Sequence, residues 1–195
     1  MKPNRIHAFA LIVGLTVATF ALPAQAAEDE FTLVFPQPSE ATEFVNSWGN
    51  ARSGGRQHKG TDLLAPQMTP VVAAADGIVK KFGNGPRSGY YIVISHRDGY
   101  ETWYMHMNND TPGTDDGRGA PEYTYVAALE VGDSVEAGQL LGFVGDSGNA
   151  EGSTHHTHFE LHLNGRAINP FPFLKAAWER WELEQLIERG EVPFS

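Results

Sequence analysis

Between residues 31 and 170, short runs of β-forming residues alternate with turn residues, and this pattern constrains the fold more than any other feature. The runs occupy residues 70–75, 77–82, 90–96, 101–106, 140–144 and 156–163. Turn sequences such as Asp76-Gly77, Arg97-Asp98-Gly99 and Asn164-Gly165 lie between or beside them. Helical periodicity is absent there, so the chain is predicted to be mainly β, with a compact, tightly turned antiparallel sheet.

One segment near the C-terminus has helical character. Residues 173–190 contain good helix formers throughout, and Gly190 is placed as a C-terminal stop. The apolar residues form two faces, Leu174, Ala177, Trp178 and Trp181 on one and Leu183, Leu186 and Ile187 on the other. Packing against the core is the default expectation for both faces, with contact to a partner as the alternative for the second.

A polar segment at residues 108–128 interrupts the strands and is long for a connection in a compact domain. Its aspartates suggest a calcium-binding loop, but their spacing does not match the helix–loop–helix pattern and no helix flanks them. A solvated rim of a substrate cleft is the preferred interpretation.

The N-terminus has the pattern of an export signal. Lys2 and Arg5 precede an apolar run at residues 8–22, and Ala24-Gln25-Ala26 supplies small residues for signal peptidase. The run is shorter than the roughly 20 residues of a membrane-spanning helix. We predict a signal peptide at residues 1–26 and a periplasmic or secreted mature chain without stable membrane insertion.

Composition limits the possible ligands and partners. The sequence has no cysteine, so neither disulfides nor thiolate ligands are available. Its formal net charge of −10 argues against nucleic acid as a partner. The rest of the chain suffices for one hydrophobic core, and we divide it into a lead-in segment (27–47), a main domain (48–172) and a helix with a tail (173–195).

Seven of the eight histidines fall between positions 58 and 162. Histidine and aspartate are the ligands that zinc accepts when thiolates are missing, and a catalytic zinc site uses three protein ligands. His156 and His158 lie two apart in a predicted strand, so both imidazoles face the same side. Glu160 and His162 share that side and are candidates for supporting contacts.

His58 and Asp62 form a second candidate pair, four residues apart. Gly60 between them argues against a helix and favours a turn that runs into a strand. Either pair alone is weak support for a metal site, because a surface histidine with a nearby aspartate is common.

The sequence resembles the LytM or lysostaphin-type peptidases, the M23 metallopeptidases, over about residues 48–170. The similar motifs, in order, are RQHKGTDLLAP at 56–66, TPVVAAADGIV at 69–79, ISHRDGYETWYMH at 94–106, VGDSVEAGQLLG at 131–142, HTHFEL at 156–161 and INP at 168–170. This resemblance implies a LytM domain related to barrel-sandwich hybrids, with the C-terminal helix added. It also implies one zinc ion bound by His58, Asp62 and His158, and two catalytic histidines, His106 and His156.

The function that the resemblance implies is hydrolysis of peptide bonds in the stem peptides or cross-links of peptidoglycan by a metal-activated water. The alternative is a non-catalytic LytM-type protein that binds or activates cell-wall hydrolases, and a protein regulator is a possible further partner. One of His106 and His156 is expected to transfer the water proton and the other to stabilise the oxyanion, in either order.

Three features depart from the usual family pattern. Met68 stands where glycine is common, His155 stands where proline is often found, and the insertion at 108–128 is longer than usual. His155 is expected to support the site or to lie exposed, with competition for metal as the alternative. His96 is expected to be structural, and Tyr104 either lines the cleft or packs in the core.

Overall fold

Strands account for most of the regular structure in residues 30–191, the part of the chain that the computed structural model describes. The strands are β1 (Ala51–Arg52), β2 (Arg56–Gln57), β3 (Thr61–Leu64), β4 (Pro70–Val72), β5 (Gly77–Gly85), β6 (Gly89–Ser95), β7 (Tyr100–Met107), β8 (Ser134–Val135), β9 (Leu140–Phe143), β10 (His156–Leu163) and β11 (Arg166–Ile168). Short 3-10 turns lie at Ser53–Gly55, Arg97–Gly99, Pro121–Tyr123 and Gly148–Ala150, and one α-helix, α1, spans Phe171–Glu188. The predicted signal peptide lies outside the described residues.

The central element is β10, which belongs to a seven-stranded antiparallel sheet. The sheet runs in the order β11, β10, β7, β6, β5, β8, and β3 also pairs with β10. The first half of β10 pairs with β3 and its second half with β11, both on the edge opposite β7. Two smaller pairs, β1 with β2 and β4 with β9, complete the strands. The prediction of a mainly β, antiparallel fold with one C-terminal helix is confirmed.

Alternation along β10 separates the core from the cleft. Thr157, Phe159 and Leu161 are buried, whereas His156 and His158 are partly exposed on the other side. Phe159 packs edge-on against the fully buried ring of Tyr104 in β7, at a centroid distance of 5.4 Å. Burying two large rings removes apolar surface from water and holds β10 and β7 together, which fixes the strand that carries the histidines.

The six strand runs predicted from the sequence are all present, with ends that differ by a few residues. The segment at 27–47 contributes to the hydrophobic core, because Phe31, Leu33 and Phe35 are buried there. Val34 donates its backbone N–H to the carbonyl of Ala74 at 2.7 Å, so this segment lies along the strand region as extended chain. Residues 31–191 therefore share one hydrophobic core.

Only one face of α1 packs against that core. Leu174 and Ala177 are buried, and Trp178 packs edge-on against Phe35. Leu183 is 50% exposed and Ile187 is 57% exposed, so the default expectation of core packing is wrong for these two residues. The helix extends past the edge of the core, and its last turns have no apolar surface to cover. Within residues 30–191, no helix combines the length and the apolar character needed to cross a bilayer.

Met68 adopts the backbone conformation that glycine usually supplies. Its φ is +67°, in the left-handed region that side chains with a Cβ rarely occupy. Its N–H donates to the carbonyl of Val144 at 2.9 Å, and Val144 in turn donates to the carbonyl of Thr69 at 2.9 Å. The turn geometry before β4 is therefore kept with methionine in place of glycine, at a cost in backbone strain.

Candidate metal centre and cleft

The register between β3 and β10 brings the two candidate pairs together. His158 lies directly opposite Asp62 in this antiparallel pair. His58 lies in the turn before β3, and Gly60 between His58 and Asp62 predicts this turn. The His58 side chain is buried there. Residues about one hundred positions apart are therefore neighbours because two strands pair.

Three donor atoms meet at one point. His158 Nδ1 lies 2.8 Å from Asp62 Oδ1, His58 Nε2 lies 3.1 Å from the same oxygen, and the two nitrogens are 2.9 Å apart. Ligand atoms held about 2.0–2.1 Å from one tetrahedral zinc ion lie roughly 3.3 Å from each other. The triangle is thus close to the size that three ligands of one such ion require.

The outer contacts of the two imidazoles set which nitrogen faces the centre as a lone pair. His58 Nδ1 donates to the carbonyl of Ser47 at 3.0 Å, and His158 Nε2 donates to Glu160 Oε1 at 3.1 Å. A ring that donates from one nitrogen presents the other as a lone pair when it is neutral. When both rings are neutral, two lone pairs and a carboxylate oxygen face each other, and a cation fits this donor set well.

The remaining contacts hold the carboxylates in place. Arg52 Nη2 donates to Asp62 Oδ2 at 2.6 Å, so the other oxygen, Oδ1, faces the histidines. Glu160 binds His162 Nε2 at 2.6 Å through its second oxygen, and the His162 ring stacks on Trp103. Strand parity in the sequence predicts Glu160 and His162 as supporting residues, whereas no sequence signal points to Arg52.

The ionised carboxylates at the centre favour the binding of a cation. Burial alone would raise the pKa of Asp62, but hydrogen bonds from His158 and His58 outweigh it and hold this pKa well below its usual range. Burial likewise opposes ionisation of Glu160, yet its hydrogen bonds to His158 and His162 lower its pKa to about 2. Hydrogen bonds to Asp62 and Glu160 outweigh burial at His158 and raise its pKa. Both carboxylates therefore stay ionised near neutral pH.

His106 and His156 lie beside this centre. Their ring centroids are 5.0 Å apart, and the His106 centroid is 6.0 Å from that of His158. His106 Nδ1 donates to the carbonyl of Ser147 at 2.7 Å, and His156 Nδ1 donates to the carbonyl of Thr154 at 2.7 Å. Each neutral ring consequently keeps Nε2 free to accept a proton.

His106 has an unusual backbone and an unusual pKa. Its φ is +60°, which breaks the alternation at the end of β7 and turns the side chain into the cleft. Burial, with a smaller contribution from the charges of His156 and His158, lowers the pKa of His106 to about 4, although the hydrogen bond to Ser147 acts the other way. The ring is therefore neutral at pH 7.

This pKa predicts how the stability of the metal-free protein depends on pH. An unfolded histidine titrates near 6.5 and folded His106 near 4, so the unfolded state binds more protons between these values. The contribution of neutral His106 to the free energy of unfolding is present in full above about pH 6.5. It is lost as the pH falls from 6.5 to 4, and the total loss is roughly 3 kcal/mol. Urea unfolding at several pH values is expected to show this loss, and His106→Gln is expected to lessen the slope. An equal slope in both proteins would contradict the assignment.

The centre opens into a cleft of about 650 Å³. Four cationic residues are among its lining residues, Arg52, Arg56, Lys59 and Arg87. Against these stand the two carboxylates of Asp62 and Glu160, so the cleft is positive in a chain whose formal net charge is −10. A positive cleft attracts anionic ligands.

Several candidates from the sequence lie away from the centre. Both ring nitrogens of His96 form hydrogen bonds, one with the carbonyl of Asp76 at 2.8 Å and one with Thr102 Oγ1 at 2.7 Å. His96 therefore has a structural role. Tyr104 is fully buried and accepts the N–H of Ala74 at 2.7 Å, so it packs in the core and does not line the cleft.

The insertion at 108–128 was expected to form a solvated rim of the cleft. Its residues 111–118 are exposed, as expected of a solvated segment, but the segment lies away from the cleft lining. None of its residues, all of which the structure describes, lines the cleft. Tyr125 forms a β-bridge with Gly142, and Asn108, Asp110 and Thr124 are buried. The segment turns back onto β9, because its backbone finds hydrogen-bond partners there, as in the bond from Phe143 to the carbonyl of Thr124 at 3.2 Å.

Comparison with known proteins accounts for this arrangement. A model of peptidase family M23 matches residues 56–117 and 121–170, which together make up more than half of the chain. The chain belongs to peptidase family M23. The ordered motifs in the sequence resemble this family, and the family model confirms that resemblance.

Relatives of this M23 chain are named as peptidases. It is 34% identical over 116 residues to an uncharacterised metalloprotease of Haemophilus influenzae, covering 59% of this chain and 20% of the relative. It is 33% identical over 112 residues to the peptidoglycan DD-endopeptidase ShyA of Vibrio cholerae, with 57% and 22% coverage. It is 31% identical over 163 residues to an L-Ala–D-Glu endopeptidase of Bacillus subtilis, with 77% and 45% coverage. The chain thus spans less than half the length of each of these relatives.

Solved structures agree with the M23 fold. The catalytic domain of lysostaphin from Staphylococcus simulans superposes with a TM-score of 0.54 at 29% identity, covering 69% of this chain and 92% of that one. A zinc-containing peptidase from Vibrio cholerae superposes with a TM-score of 0.55 at 24% identity, covering 71% and 39%, and shows the shared fold. The expected LytM-type architecture is confirmed.

Position 60 of this M23 domain requires glycine, because the chain approaches Phe159 and His158 closely there. A Cβ at position 60 would lie 2.3 Å from the carbonyl oxygen of Phe159 and 2.8 Å from His158 Nε2. Gly60→Ala is expected to lower the free energy of unfolding by about 1–3 kcal/mol, because β3 must shift away from β10. The shift would also separate Asp62 from His158 and weaken metal binding.

Chemical unfolding of Gly60→Ala and zinc titration of the same protein would measure both effects. Lys59→Ala, at the exposed neighbouring position, serves as the control for stability and is expected to change it by less than about 0.5 kcal/mol. Equal stability of Gly60→Ala and the original protein would contradict the close packing.

Proposed function

We propose that this chain is a zinc-dependent endopeptidase that hydrolyses peptide bonds in the stem peptides or cross-links of bacterial peptidoglycan. The observation that carries the proposal is the convergence of His58 Nε2, Asp62 Oδ1 and His158 Nδ1 within 3.1 Å of one another at the cleft. These three atoms would hold the metal. Membership of a peptidase family and relatives named as peptidoglycan endopeptidases support the reaction class.

The donor set favours zinc among the divalent ions. Two imidazole nitrogens and one carboxylate oxygen form a three-ligand set that catalytic zinc sites use, with a further position left for water or substrate. Calcium and magnesium prefer oxygen ligands in larger number or in octahedral geometry. Zinc, when bound there, lowers the pKa of water and polarises a carbonyl group.

The two neighbouring histidines would take different parts in proton transfer. His106 is neutral at pH 7 with Nε2 unprotonated, so it accepts the proton of the attacking water and later passes it to the leaving amine. His156 lies nearer to solvent and, in its protonated form, donates from Nε2 to the oxyanion that develops on the scissile carbonyl. The backbone carbonyls of Ser147 and Thr154 hold the two rings in orientation.

Charge and location fit a peptidoglycan substrate. Stem peptides carry free carboxylates, and Arg56, Lys59 and Arg87 of the cleft provide cationic partners for such groups. Peptidoglycan lies outside the cytoplasmic membrane, so the proposal includes export to the periplasm or beyond. The signal-peptide pattern at residues 1–26 supports that location.

Mass analysis of fragments released from purified peptidoglycan tests the proposed activity. The protein is expected to release peptide-cleaved fragments, to lose this activity after treatment with a zinc chelator, and to regain it with added Zn²⁺ but not with Mg²⁺. The fragment masses also identify the bond that is cleaved. Release of no fragments by zinc-loaded, folded protein would contradict the proposal and favour an activator of other hydrolases.

A further inference from the structure

A second group of potential ligands lies outside the proposed zinc centre. Asp110 belongs to the insertion, Asp146 follows β9, and His155 directly precedes β10. Each offers one ligand atom, and these atoms lie within 4.8 Å of one another. Asp110 and Asp146 are buried, at 0% and 1% exposure. Three segments that are distant in the sequence thus place two buried carboxylates and an imidazole side by side.

One oxygen of each carboxylate is satisfied, since Gly117 donates its N–H to Asp110 Oδ1 at 2.6 Å and Gly152 donates to Asp146 Oδ2 at 2.9 Å. The other oxygens, Asp110 Oδ2 and Asp146 Oδ1, are buried without a hydrogen-bond partner in the protein, and so is His155 Nε2. Buried polar atoms are almost always paired, so three such atoms in one cluster point to a ligand-binding site.

Negative charge accumulates around the cluster. Burial raises the pKa of Asp146, and the nearby Asp110 and Asp115 carboxylates add to the rise, against the opposing effects of Gly152 and His155. Asp115 and Glu151 are exposed, and each has a carboxylate oxygen within 4.8 Å of an oxygen of Asp110. Without a cation, buried carboxylates at this distance repel each other.

We propose that Asp110, Asp146 and His155 bind a second divalent cation, separate from the ion of the proposed catalytic centre. The mixture of one imidazole and two carboxylates matches zinc and related transition metals better than calcium, which prefers six to eight oxygen ligands. Ligands on one tetrahedral zinc ion lie roughly 3.3 Å apart, so small side-chain rotations suffice to close the cluster around the ion.

This cation would act on the neighbouring histidines through the backbone. Asp146 precedes Ser147, whose carbonyl accepts the hydrogen bond from His106, and His155 follows Thr154, whose carbonyl accepts the bond from His156. The ion would tie these two segments to the insertion that carries Asp110. It would therefore position both rings without contacting the substrate.

Zinc stoichiometry tests the proposal without reference to activity. The protein is stripped with a chelator, dialysed, and titrated with Zn²⁺ by calorimetry, with the bound metal counted by elemental analysis. Two ions per chain are expected for the original sequence, one for His58→Ala, and one for Asp146→Asn. Equal stoichiometry and affinity in the original protein and Asp146→Asn would overturn the proposal.

A thermal readout covers the case in which stoichiometry is ambiguous. In the His58→Ala background, added Zn²⁺ is expected to raise Tm by at least about 3 °C, because the ion binds only the folded state. Adding Asp146→Asn, or Asp110→Asn should the first variant fail to fold, is expected to abolish this rise. Glu122→Gln, an exposed position in the same insertion with the same charge change, should retain it. A rise of equal size in all three would overturn the assignment of ligands.

Discussion

Replacing His158 with alanine is expected to lower the proposed rate of peptidoglycan cleavage by about three orders of magnitude or more and to abolish zinc binding at the proposed catalytic centre. His158 supplies one of three converging donor atoms, and His58 and Asp62 alone form a weak site. A bound metal contributes several kcal/mol of transition-state stabilisation, and each 1.4 kcal/mol corresponds to a factor of ten in rate. Fragment release and elemental analysis of dialysed protein measure the two losses.

Glu160→Gln provides a graded comparison for this prediction. Glutamine can still accept from His158 Nε2 but lacks the charge that favours the imidazole as a ligand, so zinc affinity is expected to fall by about 10–100-fold. Full zinc content and full activity in His158→Ala would show that the cluster is not the catalytic centre. Thermal melting of both variants checks that they fold.

Replacing His106 with glutamine is expected to lower kcat of the proposed reaction by about 10²–10⁴-fold while leaving zinc binding at the proposed catalytic centre intact. Proton transfer by a positioned side chain contributes about this much, and glutamine has no basic nitrogen. The His106 ring donates from Nδ1 to the carbonyl of Ser147, and its centroid lies 6.0 Å from that of His158, so the three proposed metal ligands should be unaffected. The combination of retained metal and lost rate distinguishes this variant from His158→Ala.

Measurements on His106→Gln need to separate chemistry from binding. The expected change is in kcat with little change in KM, because His106 acts on the proton and not on the bulk of the substrate. A variant that loses zinc together with activity would assign His106 to the metal instead. A variant with unchanged kcat would transfer the proton-accepting role to His156.

Strand parity in the sequence was sufficient to place the histidine pair. An alternating run such as residues 156–163 has two sides, and Phe159 and Leu161 must occupy the buried one, so His156 and His158 share the other. Glu160 and His162 follow by the same rule, and the observed contacts between these side chains agree with it. Parity by itself would put His106 on the buried side together with Tyr104, but a positive φ turns the His106 side chain into the cleft.

The insertion and the helix show where local patterns mislead. The polar composition of residues 108–128 predicts a solvent-exposed segment, yet Asp110 is buried. The loop folds back on itself there, because Gly117 donates its N–H to Asp110 Oδ1 and Gly119 donates its N–H to the carbonyl of Asn109. The helix was predicted from propensity alone, but propensity does not say how far the core extends beneath it. Leu183 and Ile187 consequently remain exposed.

The sequence by itself determined the strands, the C-terminal helix, the family and the set of candidate histidines and aspartates, because each depends on local periodicity or on ordered motifs. Only the tertiary structure decided which of them meet. The antiparallel register of β3 against β10 places Asp62 opposite His158, and the return of the insertion onto β9 buries Asp110 in one cluster with Asp146 and His155. Such contacts join residues far apart in the chain, and their geometry depends on packing that no local pattern contains.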